Sequence, residues 1–483
     1  MTHADDERTR WLALLVLCLG VLMIVLDTTI VNVALPSIRA DLGFSETSLV
    51  WVVNAYMLTF GGFLLLGGRL GDLFGHRRLF LAGIACFTAA SLACGLSTSQ
   101  SLLIAARTVQ GFGGAVVSAL ALSLIMNLFV EPAERARAMG VYGFVCAGGG
   151  SIGVLLGGVL TASLSWHWIF LVNLPIGIAV FLLCRALLPA RHAKAEAGRL
   201  DVAGALTVTI SLILAVYAIV NGNAAGWGSL RTLGLLVVAV LCFALFIGIE
   251  ARVRHPLVPL GLFRVRNVTI ANVVGVLWAA AMFAWFFISA LYLQLVLGYS
   301  PLQVGLAFLP ANLIMAAFSL GLSARLVMRL GIKWPLVAGL LMASAGLLLF
   351  SLAPIHGQFL ADVLPGMLLL GLGAGIAFNP VLLAAMSEVA PSDSGLASGV
   401  VNTSFMMGGA LGLAILASLA AAVSSGMQAA GANSLAALNA GYHAAFMSGA
   451  ISAVAAALIG ALLLRVREPG GDGAMLSSDA AGS

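Results

Sequence analysis

Two stretches of this chain carry no Asp, Glu, Lys or Arg at all: Val268–Ser323 and Gly395–Leu464. Each is far longer than any element of a soluble core. Bilayer hydrocarbon accepts such runs, at about 20 residues per helical crossing, so each holds two crossings and a short turn. Inside lipid every backbone N–H and C=O must be paired within the protein, which leaves helices or a closed barrel. A barrel would require alternating segments of about ten residues, and these runs do not alternate. The expected fold class is therefore all-α integral membrane. A length of 483 residues would otherwise suggest soluble domains, but 61% hydrophobic and 8% charged residues overrule that reading.

Hydrophobic runs along the chain place fourteen helices. The first six fall at about 11–35, 48–67, 79–97, 101–126, 138–161 and 167–187. Two more fall at about 201–220 and 231–250, and the last six at about 269–296, 302–325, 334–353, 359–385, 395–421 and 443–464. With this threading, all Lys and Arg lie on one side except Arg39 and Arg231 opposite and Arg107 within a span. That asymmetry places both termini in the cytoplasm. It also accounts for the net charge of +5 without any nucleic-acid partner. The six cysteines form no C-x-x-C pair and read as packing residues. The seven histidines show no metal-ligand spacing, so no metal is expected.

The charged segment after helix 2 reads GRLGDLFGHRR (Gly68–Arg78), and a second copy, ARLVMRLGIK (Ala324–Lys333), follows helix 10. Arg69 aligns with Arg325, Gly75 with Gly331 and Arg77 with Lys333, whereas Asp72 aligns with Met328. Copies eight helices apart imply a 6+2+6 layout with two pseudo-symmetric halves. The expected organisation is a tail at 1–10, a six-helix half at 11–187, an inserted pair at 201–250, a second half at 267–465 and a flexible cytoplasmic tail at 466–483. In the repeated segment Gly68 and Gly75 permit a tight turn, and Asp72 can cap a helix or pair with Arg77 or Arg78.

Chemistry is expected where ionisable side chains enter the hydrocarbon. Asp27 lies ~24 Å along helix 1 at ~1.5 Å per residue, and Arg107 on antiparallel helix 4 reaches a similar depth. An isolated ion there costs at least a few kcal/mol, so each must face the bundle interior and find a partner or water. Two readings stay open, a static pair that orients helices and a carboxylate that takes up and releases a proton. Gln110 shares the face of Arg107 and is a candidate to line a substrate cavity. Gly149, Gly153 and Gly157 recur every four residues on helix 5, echoed by Gly395/Gly399 and Gly408/Gly412 on helix 13, and permit close helix crossing. Helix 9 sets Trp278, Met282, Trp285, Ser289 and Tyr292 on one face, which suits either a cavity for flat lipophilic ligands or core packing. Asn54, Gln294, Asn312, Asn379 and Asn402 are further candidates to line that cavity. No nucleotide-binding loop is present, because GGGSIG lies in a span and lacks the terminal Lys-Ser/Thr.

Several segments together resemble the major facilitator superfamily, and within it the fourteen-helix drug/proton antiporter branch of the EmrB/QacA type. GRLGDLFGHRR resembles its loop 2–3 motif, and LDTTIVNVALP (Leu26–Pro36) its helix 1 signature. RTVQGFGGA (Arg107–Ala115) and WHWIFLVNLPIG (Trp166–Gly177) resemble segments of helices 4 and 6. The resemblance implies that Arg107 assists proton transfer and that Asp72 docks near Ser394 and Gly395 to close the cytoplasmic side. The helix 5 antiporter motif is only partly kept. Gly153-Val154-Leu155-Leu156-Gly157-Gly158 lacks its proline. The function expected is a proton-coupled exporter of amphipathic drugs, antibiotics or a secondary metabolite. It would use alternating access in a bacterial cytoplasmic membrane, act as a monomer and need no cofactor beyond the coupling proton. A proton-coupled importer of the same fold and a non-transporting sensor remain the alternatives. A membrane enzyme is disfavoured, since no nucleophile–base pair or metal cluster is visible.

Overall fold

A computed structural model describes residues 3–188, 201–390 and 393–465, and the described part is helical throughout, without strands. The N-terminal half comprises α1 (His3–Leu42), α2 (Val50–Phe74), α3 (His76–Gly95), α4 (Gln100–Leu128), α5 (Pro132–Ser163) and α6 (Trp168–Leu187). The inserted pair is α7 (Val202–Ala225) and α8 (Leu230–Glu250). The C-terminal half comprises α9 (Arg266–Val296), α10 (Pro301–Ala317, continued by Phe318–Leu322 and Ser323–Leu330), α11 (Lys333–Phe350), α12 (Phe359–Met386), α13 (Ser394–Ala429) and α14 (Ser434–Leu463). Every one except α10, which is interrupted at Gly321, is a single helix long and apolar enough to cross a membrane.

Within the charge-free runs, local turn chemistry decides where one span stops. Between α9 and α10, Gly298 adopts φ +72°, and Ser300 and Gln303 form a reciprocal capping box. Between α13 and α14, Gly431 adopts φ +87° and the Asn433 side chain accepts from Leu435 and Ala436 N–H. Each cap satisfies backbone donors that the first helical turn leaves free.

Two expectations about local structure are corrected. Residues 3–10, expected as a tail, are helical and continuous with α1, and Arg10 pairs with Glu134 of α5 at 3.0 Å. The repeated segment is no loop either. Helix α2 runs on to Phe74, so Gly68 is a helical residue and Gly75 alone (φ 92°, ψ 122°) turns the chain into α3. Its copy turns at Gly331 (φ 73°) between α10 and α11. Both glycines occupy backbone space closed to other residues, so the repeat conserves a one-residue corner. The side chains of Asp72 and Ser394 lie outside the described residues, as does the segment 466–483.

The halves repeat the same packing. α5 lies along α1, and α13 lies along α9. A β-carbon built on Gly157 would sit 2.7 Å from the Ile30 carbonyl oxygen, and one on Gly412 would sit 2.4 Å from the Cα of Ala280. Gly149, Gly153 and Gly157 of α5 and Gly408 and Gly412 of α13 therefore form contact faces within each half, whereas Gly399 faces Leu65 of α2. Gly158 points elsewhere, toward Pro301 of α10 in the other half, at 2.7 Å by the same measure.

The two halves meet most closely on the face opposite the basic residues. There Gln294 donates to the Val33 carbonyl at 2.9 Å, Asn54 donates to the Ala410 carbonyl at 2.9 Å, and Gly305 abuts Val154. Toward the basic face, β-carbons at Gly140, Gly143 and Gly148 of α5, Gly321 of α10, Gly68 and Gly395 would meet nothing within 4 Å. The halves also touch nearer the basic end, where a β-carbon on Gly399 of α13 would lie 2.7 Å from Leu65 of α2. The inserted α7 packs against α2 and α13, where Asn223 donates to the Ser418 carbonyl and Ser418 to the Ile219 carbonyl. α8 packs against α7 and exposes an apolar surface that includes Val240 and Leu241.

Candidate buried ion-pair site

Asp27 on α1 is fully buried, and Arg107 on α4 is 1% exposed. The Arg107 guanidinium pairs through Nη1 with Asp27 Oδ2. The other carboxylate oxygen accepts from Gln110 Nε2 at 2.7 Å and from Asn173 Nδ2 of α6 at 3.0 Å. Gln110 also accepts from Arg107 Nη1 at 2.7 Å and donates to Ser91 Oγ of α3 at 2.8 Å. Arg107 Nε donates to the Val52 carbonyl of α2 at 2.9 Å, and the guanidinium lies 4.4 Å from the Tyr56 ring centroid and 5.6 Å from that of Phe170. Four helices (α2, α3, α4 and α6) and α1 itself thus join one network around the carboxylate.

The local sequence makes this convergence possible. Gly111 and Gly114 follow Arg107 on the same helix, and a β-carbon on Gly111 would lie 2.4 Å from the Tyr56 carbonyl oxygen. Only the absent side chain lets α4 approach α2 closely enough for Arg107 to reach Val52. Three donors satisfy the buried carboxylate, and the guanidinium is held by the carboxylate, two acceptors and two ring faces. Protonating Asp27 would remove the charge that holds Arg107.

Spacing alone placed Asp27 and Arg107 at one depth, and the structure brings them together with Gln110. That residue joins the carboxylate cluster, whereas it was expected to line a cavity. Asn173 and Ser91 were missed, although polar side chains in apolar spans had already singled out Asn54 and Asn312 and would have found both. Tyr56 and Phe170 carry no signal in sequence for standing over a guanidinium.

The remaining candidates do not form one cavity wall. Trp285 is fully buried in the C-terminal half, its ring 6.0 Å from that of Phe308. Tyr292 donates to the Pro354 carbonyl at 2.8 Å. Both are core residues, because the α9 face that carries them turns into its own half. Asn54 and Gln294 bridge the halves on the far face, and Asn312 is buried on α10. Asn402 is half-buried, donates to the Ser398 carbonyl and lines a small pocket with Trp278, Phe378 and Phe405. Asn379, also half-buried, lies on α12 one residue from Phe378. In the repeated segment Arg77 donates to the Arg185 carbonyl at 2.6 Å and Arg78 is exposed.

Two pseudo-symmetric six-helix halves that meet on one face, with a sequestered ion pair inside the first, define the architecture of a secondary membrane transporter. Solved structures of such transporters share the fold. The nucleoside transporter NupG aligns with a TM-score of 0.64 at 13% identity over 94% of this chain and 100% of that one. A POT family peptide transporter aligns at 0.66 and 17% identity, over 96% and 99%. The family model of the Major Facilitator Superfamily matches residues 17–413, and the chain belongs to that superfamily. Among its relatives, the puromycin resistance protein of Streptomyces alboniger is 43% identical over 89% of this chain and 84% of its own length. The cephamycin export protein of Amycolatopsis lactamdurans is 40% identical, over 88% of each chain. The tetracenomycin C resistance and export protein of Streptomyces glaucescens is 34% identical, over 87% and 78%.

Proposed function

We propose that the chain is a proton-coupled exporter of amphipathic, antibiotic-like compounds, working by alternating access in a bacterial cytoplasmic membrane with the basic face inward. The fourteen helices and the motifs from Leu26 to Gly177 favour the drug/proton antiporter branch of the EmrB/QacA type. The relatives named for puromycin, cephamycin and tetracenomycin support the substrate class. One observation carries the coupling: Asp27 is fully buried and ion-paired to Arg107 while the halves are closed on the far face. In this reading the basic-side-open state holds Asp27 ionised and admits substrate. Opening to the far face separates α1 from α4, Asp27 takes a proton from outside, and Arg107 is released toward Tyr56 and Gln110. Return to the basic side restores the pair and delivers the proton inward.

The test uses purified protein in liposomes with an imposed pH gradient, following a fluorescent lipophilic cation and lumenal pH together. Substrate moving against proton flow in the wild type, with both movements stopped by Asp27→Asn, is the expected result. Normal coupling in Asp27→Asn would remove Asp27 from the proton path. Substrate and proton moving in the same direction would instead support an importer.

A further inference from the structure

Among the described residues three acids are buried: Asp27, Asp201 and Glu250. The last two belong to the inserted pair and play no part in the ion-pair site. Asp201 caps α7, its Oδ1 accepting from Gly204 N–H at 2.8 Å. Glu250 ends α8, its Oε2 accepting from Val258 N–H at 3.1 Å. Their other oxygens, Asp201 Oδ2 and Glu250 Oε1, are both buried and have no donor. The two free oxygens converge on one point beside Gly204. A β-carbon on Gly204 would lie 2.6 Å from the first free oxygen and 2.8 Å from the second.

Among the described residues the surroundings do not neutralise two charges. Leu66, Ala205 and Leu257 form the neighbouring core, with Leu70 and Val258 against it. Of the ionisable groups on adjoining elements, Arg69 of α2 donates to the Pro256 carbonyl at 3.1 Å. Arg252, Arg254 and His255 of the following loop are exposed, and α13 carries no charge. No ion pair among the described residues involves Asp201 or Glu250. Two ionised carboxylates in contact repel, whereas one shared proton turns the contact into a hydrogen bond and gives both free oxygens a partner.

We propose that Asp201 and Glu250 form a second proton-binding site, which when occupied fastens the 251–259 loop to the end of α2. The connection is short. Glu250 holds Val258 N–H, and two residues earlier the Pro256 carbonyl holds Arg69, in the segment that turns at Gly75. When the proton leaves, Asp201 stays tied as the cap of α7. Glu250 swings away from it, drops Val258 N–H and loosens Pro256 from Arg69. The site lies at the basic ends of α7 and α8, so it responds to pH on that side. Its effect on transport rests on the exchange proposed above, but proton binding itself does not.

The full-length protein in liposomes would be followed by infrared difference spectroscopy as pH is raised. The wild type is expected to lose a protonated-carboxyl band that Asp27→Asn retains and Glu250→Gln lacks. Asp201→Asn, which keeps an oxygen for the Gly204 cap, is expected to lack it too. An unchanged band in both inserted-pair variants, or no such band in the wild type, would overturn the proposal. In the exchange assay, wild-type rate is expected to fall about tenfold per pH unit beyond the titration on the basic side, the slope of a single proton. Glu250→Gln should remain flat over the same range, and a wild-type profile in that variant would count against the site. If no variant or wild type exchanges substrate, the proposed function fails and the infrared result still decides this one.

Discussion

Neutralising one partner of the buried ion pair should cost more than neutralising both. Asp27 and Arg107 are 0% and 1% exposed, so water cannot compensate either charge once its partner is gone. Breaking a buried pair by removing one member costs about 3–5 kcal/mol, chiefly because the survivor is left uncompensated. Here the survivors keep hydrogen bonds. Asp27 retains Gln110 and Asn173, and Arg107 retains Val52 and Gln110. Each single variant, Asp27→Asn or Arg107→Gln, should therefore lie near the lower end, about 3 kcal/mol. The double variant leaves no buried charge and keeps polar partners for both amides, so its loss should be about 1–2 kcal/mol. The coupling is then about 4–5 kcal/mol in favour of the double, beyond the error of a double-mutant cycle. Denaturant unfolding in mild detergent, followed by tryptophan fluorescence, gives the four values. Losses that add to within about 0.5 kcal/mol would refute the pair as an energetic unit.

Other perturbations follow from the same geometry. Asn173→Ala removes one donor from Asp27 and should cost about 1.5–3 kcal/mol in the same unfolding measurement. Asn54→Ala removes a bond that joins the halves on the far face. It should raise the far-side-open population by about 2- to 12-fold, the equivalent of 0.5–1.5 kcal/mol, read as spin-label distances across that face. Gly157→Val forces a side chain against the Ile30 carbonyl and should destabilise by about 1–3 kcal/mol, whereas Gly140→Val, in open space, should not be felt by the same assay. Gly75→Ala and Gly331→Ala place a side chain in glycine-only backbone space. Each should cost about 1–3 kcal/mol and lower the yield of folded protein on size exclusion.

The division into long apolar helices and the internal repeat were legible in the sequence because a bilayer reads composition one segment at a time. A charge-free run must be buried in hydrocarbon wherever it sits in the fold. Two ionisable residues in apolar spans were legible for the same reason, since Asp27 and Arg107 cannot be left facing lipid. Their shared depth followed from helical rise alone. What each polar side chain meets was not legible. Gln110 and Asn54 are both polar residues in apolar spans, yet one joins the carboxylate and the other bridges the halves. Trp285 suits a ligand cavity and a core equally well, and only the rotation of α9 about its axis puts it in the core. The corner at Gly75 was blurred because the segment before it is polar enough for a loop and regular enough for a helix. Asp201 and Glu250 are 49 positions apart, one before the first helix of the hairpin and one at the end of the second, so nothing local in sequence joins them. Lipid selects which segments span through additive transfer energies that one sequence carries. Contacts between spans depend on helix rotation, crossing and close approach at glycine, and those are settled only when all fourteen pack together.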